Sequence, residues 1–329
     1  MAPDADAGKS SRHRSDPFAP LTSEQLAVGD GHEIYVESVG RAGGIPAVYL
    51  HGGPGSGCQP DHRRLFDPER FHAVLFDQRG AGRSRPKASR EANTLPHLIA
   101  DMEIIREKFG FERWMVVGGS WGATLALAYA QTHPERVSGI VLRATFLGTR
   151  TELEGAFYHA LPRFYPGLHD DFLNVLPPEE RAHPIDAYYR RILDPDAAVH
   201  GPAARAWGET ERILSEHAPS RDRLDFTALN ASRALPATPF MEAHYFQNDC
   251  FMKPDQLMTE AGQLAEIPGI IVQGRYDLLC PPATSYALAA RWPRSEVRIV
   301  GGAGHSLYDP GIRDAVMKAI ADVASRIAG

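Results

Sequence analysis

Met115-Val116-Val117-Gly118-Gly119-Ser120-Trp121-Gly122-Ala123-Thr124-Leu125-Ala126-Leu127-Ala128-Tyr129-Ala130 decides the fold. An apolar run stops at two glycines. Ser120, a bulky residue and a third glycine follow, and then an alanine- and leucine-rich stretch of high helix propensity. The pattern is Gly118-x-Ser120-x-Gly122 at a strand–turn–helix junction, the setting of a nucleophile elbow. So tight a turn leaves no room for a Cβ at position 118 or 122, and it holds the nucleophile's backbone under strain. Ser120 Oγ then stands at a helix N-terminus, where free N–H groups and the helix dipole favour developing negative charge. The same letters also fit a serine that merely caps a helix, so the reading depends on the rest of the chain.

Upstream, Leu26–Val28, Gly29-Asp30-Gly31 and Glu33–Val39 read as a β-hairpin, with the Gly-Asp-Gly as its turn. Ala47–Leu50 and Ala73–Phe76 are short, continuously apolar strands suited to burial on both faces. The first runs into His51-Gly52-Gly53-Pro54-Gly55 and the second into Asp77-Gln78-Arg79-Gly80. Leu98–Phe109 has helical periodicity, and Val137–Leu142 is the strand after the elbow helix. Strands alternating with helices call for a doubly wound, mostly parallel α/β sheet.

From 147 to 258 the pattern becomes helical, with helices expected over Pro184–Leu193 and Ala203–Glu216 and no clear strand. Strands return at Ile270–Gln273 and Val297–Val300, around a helix over Ala283–Trp292, and a last helix covers Ile312–Ile327. The expected organisation is a core of 21–146 and 259–329 interrupted by a helical cap of 147–258. Residues 1–20 are polar, lack an apolar leader segment and read as a disordered or surface-bound tail.

A hydrophobic fraction of 43% and a charged fraction of 23% are those of a globular protein. The net charge of −6 gives no reason to expect nucleic-acid binding, and no apolar run is long enough to span a bilayer. Three distant cysteines, Cys58, Cys250 and Cys280, form neither a disulfide framework nor zinc-like spacing and fit the cytoplasm. No metal or cofactor is expected, and nothing in the sequence sets the oligomeric state.

A nucleophilic serine needs a base, a group to orient the base, and an oxyanion hole. In doubly wound sheets such groups sit at the carboxyl ends of strands. Asp277 follows the strand ending at Gln273, and His305 follows the one ending at Val300. The chain order Ser120, Asp277, His305 is that of α/β-hydrolases. Asp309 and Asp249 compete for the acidic role, and the strand-end position favours Asp277. One oxyanion donor is expected from the N–H of Trp121. The other is expected from the His51–Gly55 loop, with Gly53 as the candidate. No dinucleotide or P-loop glycine pattern occurs.

His51-Gly52-Gly53-Pro54-Gly55, Pro60-Asp61-His62-Arg63-Arg64, Asp77-Gln78-Arg79-Gly80, Gly118-Gly119-Ser120-Trp121-Gly122, Leu125–Tyr129 and Gly274-Arg275-Tyr276-Asp277 resemble the proline iminopeptidase family of α/β-hydrolases. The resemblance runs from about Leu26 to the C-terminus. It implies a metal-free serine aminopeptidase that releases N-terminal proline from peptides through a prolyl-serine acyl-enzyme. It also implies that Glu211 and Glu242 of the cap bind the substrate's charged imino group, and that Arg143, Phe146 and Tyr158 line the substrate pocket. A secondary ammonium leaving water needs a carboxylate partner. Without the resemblance, Glu211 and Glu242 would read as solvated helix-face charges, as most glutamates are.

The chain departs from the family pattern in the cap. Thr210 stands where a second tryptophan usually precedes the first glutamate, and His159-Ala160-Leu161-Pro162 replaces a more polar segment. Strictness for proline is therefore open. The alternative function is hydrolysis or acyl transfer on a small ester, lactone or amide with a repurposed cap. The two are separated by whether Glu211 and Glu242 face the nucleophile. A third reading, a binding protein without catalysis, leaves Ser120, Asp277 and His305 without a purpose.

Overall fold

Strand β1 (Thr22–Gly29) turns back at Asp30 to pair antiparallel with β2 (His32–Gly40), the hairpin expected from Gly29-Asp30-Gly31. The computed structural model describes residues 16–229 and 237–328. The expected N-terminal tail lies mostly outside them. Its described end runs over the surface, where the Arg64 guanidinium stacks 4.8 Å above the Phe18 ring.

The remaining strands are β3 (Ile45–Leu50), β4 (Phe71–Phe76), β5 (Trp114–Ser120), β6 (Val137–Thr145), β7 (Gly269–Gly274) and β8 (Ser295–Val300). They run parallel to one another, and the eight-stranded sheet has the order β1-β2-β4-β3-β5-β6-β7-β8. Strand alternation sends Val48, Val74 and Val116 into one apolar layer and Ala47, Ala73, Met115 and Val117 into the other. Helices α1 (Leu95–Lys108) and α2 (Trp121–Thr132) cover the first layer. The buried face of the C-terminal helix, with Ile312, Val316, Ala319 and Val323, covers the second. A sheet buried on both faces explains why its central strands read as unbroken apolar runs.

Among the described residues, the span between β6 and β7 contains helices and no strand. The main ones are α3 (Pro184–Ile192), α4 (Ala197–Ser215) and α5 (Ala237–Phe246). Helix α4 begins earlier than the expected Ala203. Asp196 caps it, accepting from the Ala198 N–H at 2.8 Å, and the helix continues through Pro202. The cap at Asp196 sets the start, ahead of the proline that precedes the expected one. After β7 come α6 (Pro282–Ala289) and, beyond β8, α7 (Ile312–Ala328).

Two contacts tie the helical span to the sheet. Asn93 accepts from Tyr245 Oη at 2.7 Å through its side chain and from His244 Nε2 at 2.7 Å through its carbonyl. The Ser215 carbonyl, at the end of α4, accepts the N–H groups of His305 and Ser306 at 2.9 and 3.0 Å.

The elbow has the expected tightness. A Cβ at Gly122 would lie 2.1 Å from the Leu50 carbonyl oxygen, and Ser120 itself has φ 57° and ψ −126°. A strained residue of that kind costs about 1–3 kcal/mol, which the surrounding close packing must offset. Gly29 has φ +87° but open space around its Cβ position. Gly29→Ala should therefore cost about 1 kcal/mol in backbone strain alone. Gly122→Ala drives a methyl into fixed backbone and should cost at least about 2 kcal/mol more. Urea unfolding of both variants measures the difference, and equal losses would mean that the elbow can relax.

Candidate active site

Parallel strands β3, β5, β7 and β8 deliver His51, Ser120, Asp277 and His305 to one edge of the sheet, at or just beyond their carboxyl ends. Asp277 is buried, and its carboxylate meets His305 Nδ1 at 2.9 and 3.1 Å. The N–H groups of Leu279 and Cys280 donate to the same carboxylate at 3.0 and 2.8 Å, and Gln273 Nε2 approaches it at 3.3 Å. These donors fix the carboxylate, which in turn holds the imidazole with Nε2 as its free nitrogen. Asp309, a competitor for this role in the sequence, accepts instead from the Gly304 N–H at 2.5 Å and the His217 N–H at 3.2 Å. Asp249 sits in a short 3-10 turn after α5 and has no bond to His305.

Ser120 and His305 line one cavity of about 450 Å³ together with Gly52, Gly53, Glu211 and Glu242. The glycine loop lies against the elbow: a Cβ at Gly52 would be 3.3 Å from the Gly119 carbonyl oxygen and 3.6 Å from Ser120 Cβ. Gly53 has φ +107°, a conformation that a side chain would oppose. The indole of Trp121 is fully buried outside the cavity lining, against Tyr245 at 4.7 Å.

Glu211 on α4 and Glu242 on α5 line the same cavity. Trp207 Nε1 donates to Glu242 at 3.0 Å. Burial pushes the Glu211 carboxyl up to about 7, and burial plus the neighbouring carboxylate raises Glu242 as well. A cation placed between two such carboxyls would favour their ionised forms.

Arg143 lines the cavity and donates to the His305 carbonyl, with its guanidinium packed over Gly119. Phe146 also lines it, edge-on to Phe246 with ring centroids 5.7 Å apart. Tyr158 does not. The neighbouring Phe157 faces the cavity, stacked on Trp207 at 4.2 Å, while Tyr158 lies beside Arg150 and Asp186. The two are adjacent in the π-helical segment Gly155–Ala160, so their side chains leave the helix in different directions. The expectation for Tyr158 is corrected to Phe157.

Thr210, the departure from the family pattern, is fully buried in α4 and bonds to the Ala206 carbonyl. It lies outside the cavity lining, so its small size does not enlarge the cavity directly. Sequence reasoning overlooked Glu152, a further cavity residue whose carboxylate accepts from Leu147 and Thr149. The signal was present, since Thr149-x-x-Glu152 is a capping box. Cys280, read only as a buried apolar residue, also lines the cavity.

Residues 46–311 match the model of the alpha/beta hydrolase fold family. The proline iminopeptidase of Xylella fastidiosa (strain Temecula1 / ATCC 700964) is 44% identical over 305 residues, covering 91% of this chain and 95% of that one. The proline iminopeptidase of Arabidopsis thaliana is 41% identical over 90% of this chain and 78% of its own. Among solved structures, a proline iminopeptidase-related protein of Thermus thermophilus superposes with a TM-score of 0.60 at 22% identity, over 92% of this chain and 98% of that one. An esterase from Exiguobacterium antarcticum gives 0.61 at 18%, over 91% and 97%. At such low identities these two superpositions speak to the fold alone. With an elbow serine, an Asp277–His305 pair and curated relatives this similar over nearly the whole chain, the protein belongs to the proline iminopeptidase family of α/β-hydrolases.

Proposed function

We propose that this protein is a serine aminopeptidase that removes N-terminal proline from peptides. The observation that carries the reading is the presence of Glu211 and Glu242 in the same cavity as Ser120 and His305. A pocket built for a neutral ester has no use for two buried carboxylates, which cost stability unless a cation meets them. The aromatic rings of Phe146, Phe157 and Phe246 suit a pyrrolidine ring held between the carboxylates and the nucleophile.

In this reading Ser120 Oγ attacks the prolyl carbonyl while His305 Nε2 takes its proton. The N–H groups of Gly53 and Trp121 receive the oxyanion. As the peptide bond breaks, His305 returns the proton to the departing amine and leaves a prolyl ester on Ser120. A water, deprotonated by His305, attacks that ester, and free proline and the serine hydroxyl are restored. Asp277 holds the imidazole and stabilises its protonated form. Arg143 keeps the His305 loop in place through its bond to the His305 carbonyl.

The division into a core of 21–146 and 259–329 and a cap of 147–258 belongs to this reading, with the cap supplying cation recognition and the core the chemistry. The three buried, free cysteines support a cytoplasmic location. Among the described residues no helix is long and apolar enough to cross a membrane.

Ser120→Ala should lower prolyl-anilide turnover by about 10⁴-fold or more with the circular dichroism spectrum and melting temperature preserved. Retained turnover would refute the nucleophile. Glu242→Gln should lower kcat/KM for a prolyl anilide by about 10–100-fold while changing hydrolysis of a neutral acyl ester less than about threefold. Equal losses on both substrates would remove the cation-binding role. The pair also predicts a pH dependence. Glu211 ionises as pH climbs through about 7, Glu242 is raised as well, and only an ionised carboxylate attracts a cation. KM for the prolyl substrate should therefore fall between about pH 6 and 8, and KM for the neutral ester should stay flat. Parallel pH profiles for the two KM values would count against it.

A further inference from the structure

The Asp77-Gln78-Arg79-Gly80 segment takes no part in the reaction as described, yet it holds a buried carboxamide between the two arms of the proposed oxyanion hole. Trp121 Nε1 donates to Gln78 Oε1 at 2.8 Å. Gln78 Nε2 donates to the His51 carbonyl at 3.0 Å, and the Gln78 backbone N–H donates to His51 Nε2 at 3.0 Å. His51 Nδ1 in turn lies 2.9 Å from the Gly52 carbonyl oxygen and 3.3 Å from the Gly57 nitrogen, so the ring is held to the glycine loop on its other side. One side chain therefore links Trp121, which carries one candidate donor on its own backbone, to the loop whose next glycines carry the other. The two arms come from different strands, β3 and β5, whose pairing with each other ends at Leu50 and Gly118.

We propose that Gln78 is a positioning residue that sets the separation of the Trp121 and Gly53 N–H donors around the oxyanion. The proposal rests on Ser120 being the nucleophile. Gln78 is buried behind both arms and does not line the cavity, so it acts through their backbones and not on substrate. Donors of an oxyanion hole are effective over a few tenths of an ångström, so loosening their frame weakens the transition state more than the ground state.

The test uses the full chain and three variants: Gln78→Met, which keeps the volume and removes both side-chain hydrogen bonds; Trp121→Phe, which removes the indole donor together with part of the buried ring and keeps the backbone N–H; and Gln78→Glu. Steady-state rates are measured on a prolyl anilide and a neutral acyl ester. Affinities are measured for a prolyl boronic acid, whose Ser120 adduct imitates the tetrahedral anion, and for free proline. In Gln78→Met, kcat should fall about 10–100-fold on both substrates with KM within about twofold. Boronate affinity should fall in parallel while proline binding is kept. Trp121→Phe should reproduce the direction, and the double variant should lose less than the product of the single losses, since both cut one link. It also carries the test alone if Gln78→Met does not fold.

Gln78→Glu adds a reversible arm. As a neutral acid its O–H can replace the donor to His51 while the other oxygen still accepts from Trp121. Its rate relative to the parent protein should then rise as pH falls. Unchanged kcat in folded Gln78→Met or Trp121→Phe, a loss shared equally by proline binding, multiplicative losses in the double variant, or a flat pH ratio for Gln78→Glu would each overturn the assignment. Labelling of Ser120 by a serine-reactive phosphonate in the parent protein tests the underlying reading separately. A protein that labels normally and tolerates Gln78→Met loses only the Gln78 proposal.

Discussion

The first turn of α2 rests on the carbonyl of Leu50, a contact open only to a residue without a Cβ. Much of the site depends on that approach. Because β3 ends against the elbow, the residues that follow it, His51 to Gly53, are laid beside Ser120. Because β5 ends there too, Ser120 is forced to φ 57° with its side chain at the head of the helix. The strain is held by α2, whose residues from Trp121 to Gln131 are all buried, so the turn cannot relax without breaking the apolar layer around it.

The carboxylate pair is the converse case, a feature that costs the fold stability. Glu211 and Glu242 arrive from separate helices, and Trp207 gives Glu242 a further hydrogen bond. Two acids facing each other in an apolar wall would be replaced with gain by well-packed hydrophobic residues if stability were the only demand. The Asp277 carboxylate differs: surrounded by backbone donors and His305, it is satisfied within the protein itself. The contrast is between a carboxylate whose partners all lie within the protein and two that face a cavity.

The core was legible because its signals are local. Buried parallel strands read as short apolar runs, strand-end positions select Asp277 and His305, and the glycines of the elbow can be justified one atom at a time. The cap was legible only in outline. Helix α4 starts at Ala197, across Pro202 from the expected Ala203, because Asp196 caps it from outside the expected range. Which of Phe157 and Tyr158 faces inward depends on the phase of one helical turn, and a two-letter motif carries no phase. The closeness of Glu211 and Glu242, thirty-one positions apart in the chain, is a tertiary fact with no periodicity to announce it.

The Ser215 carbonyl accepts two N–H groups from the His305 loop, one turn of α4 beyond Glu211. The helix that carries Glu211 is thereby fastened to the His305 loop, and swinging it clear of the sheet would break both of these bonds. The same fastening limits how such a protein can be remodelled. Wall residues such as Phe146 or Phe246 can be exchanged singly, whereas a foreign cap grafted between β6 and β7 would have to bring its own partner for the His305 loop.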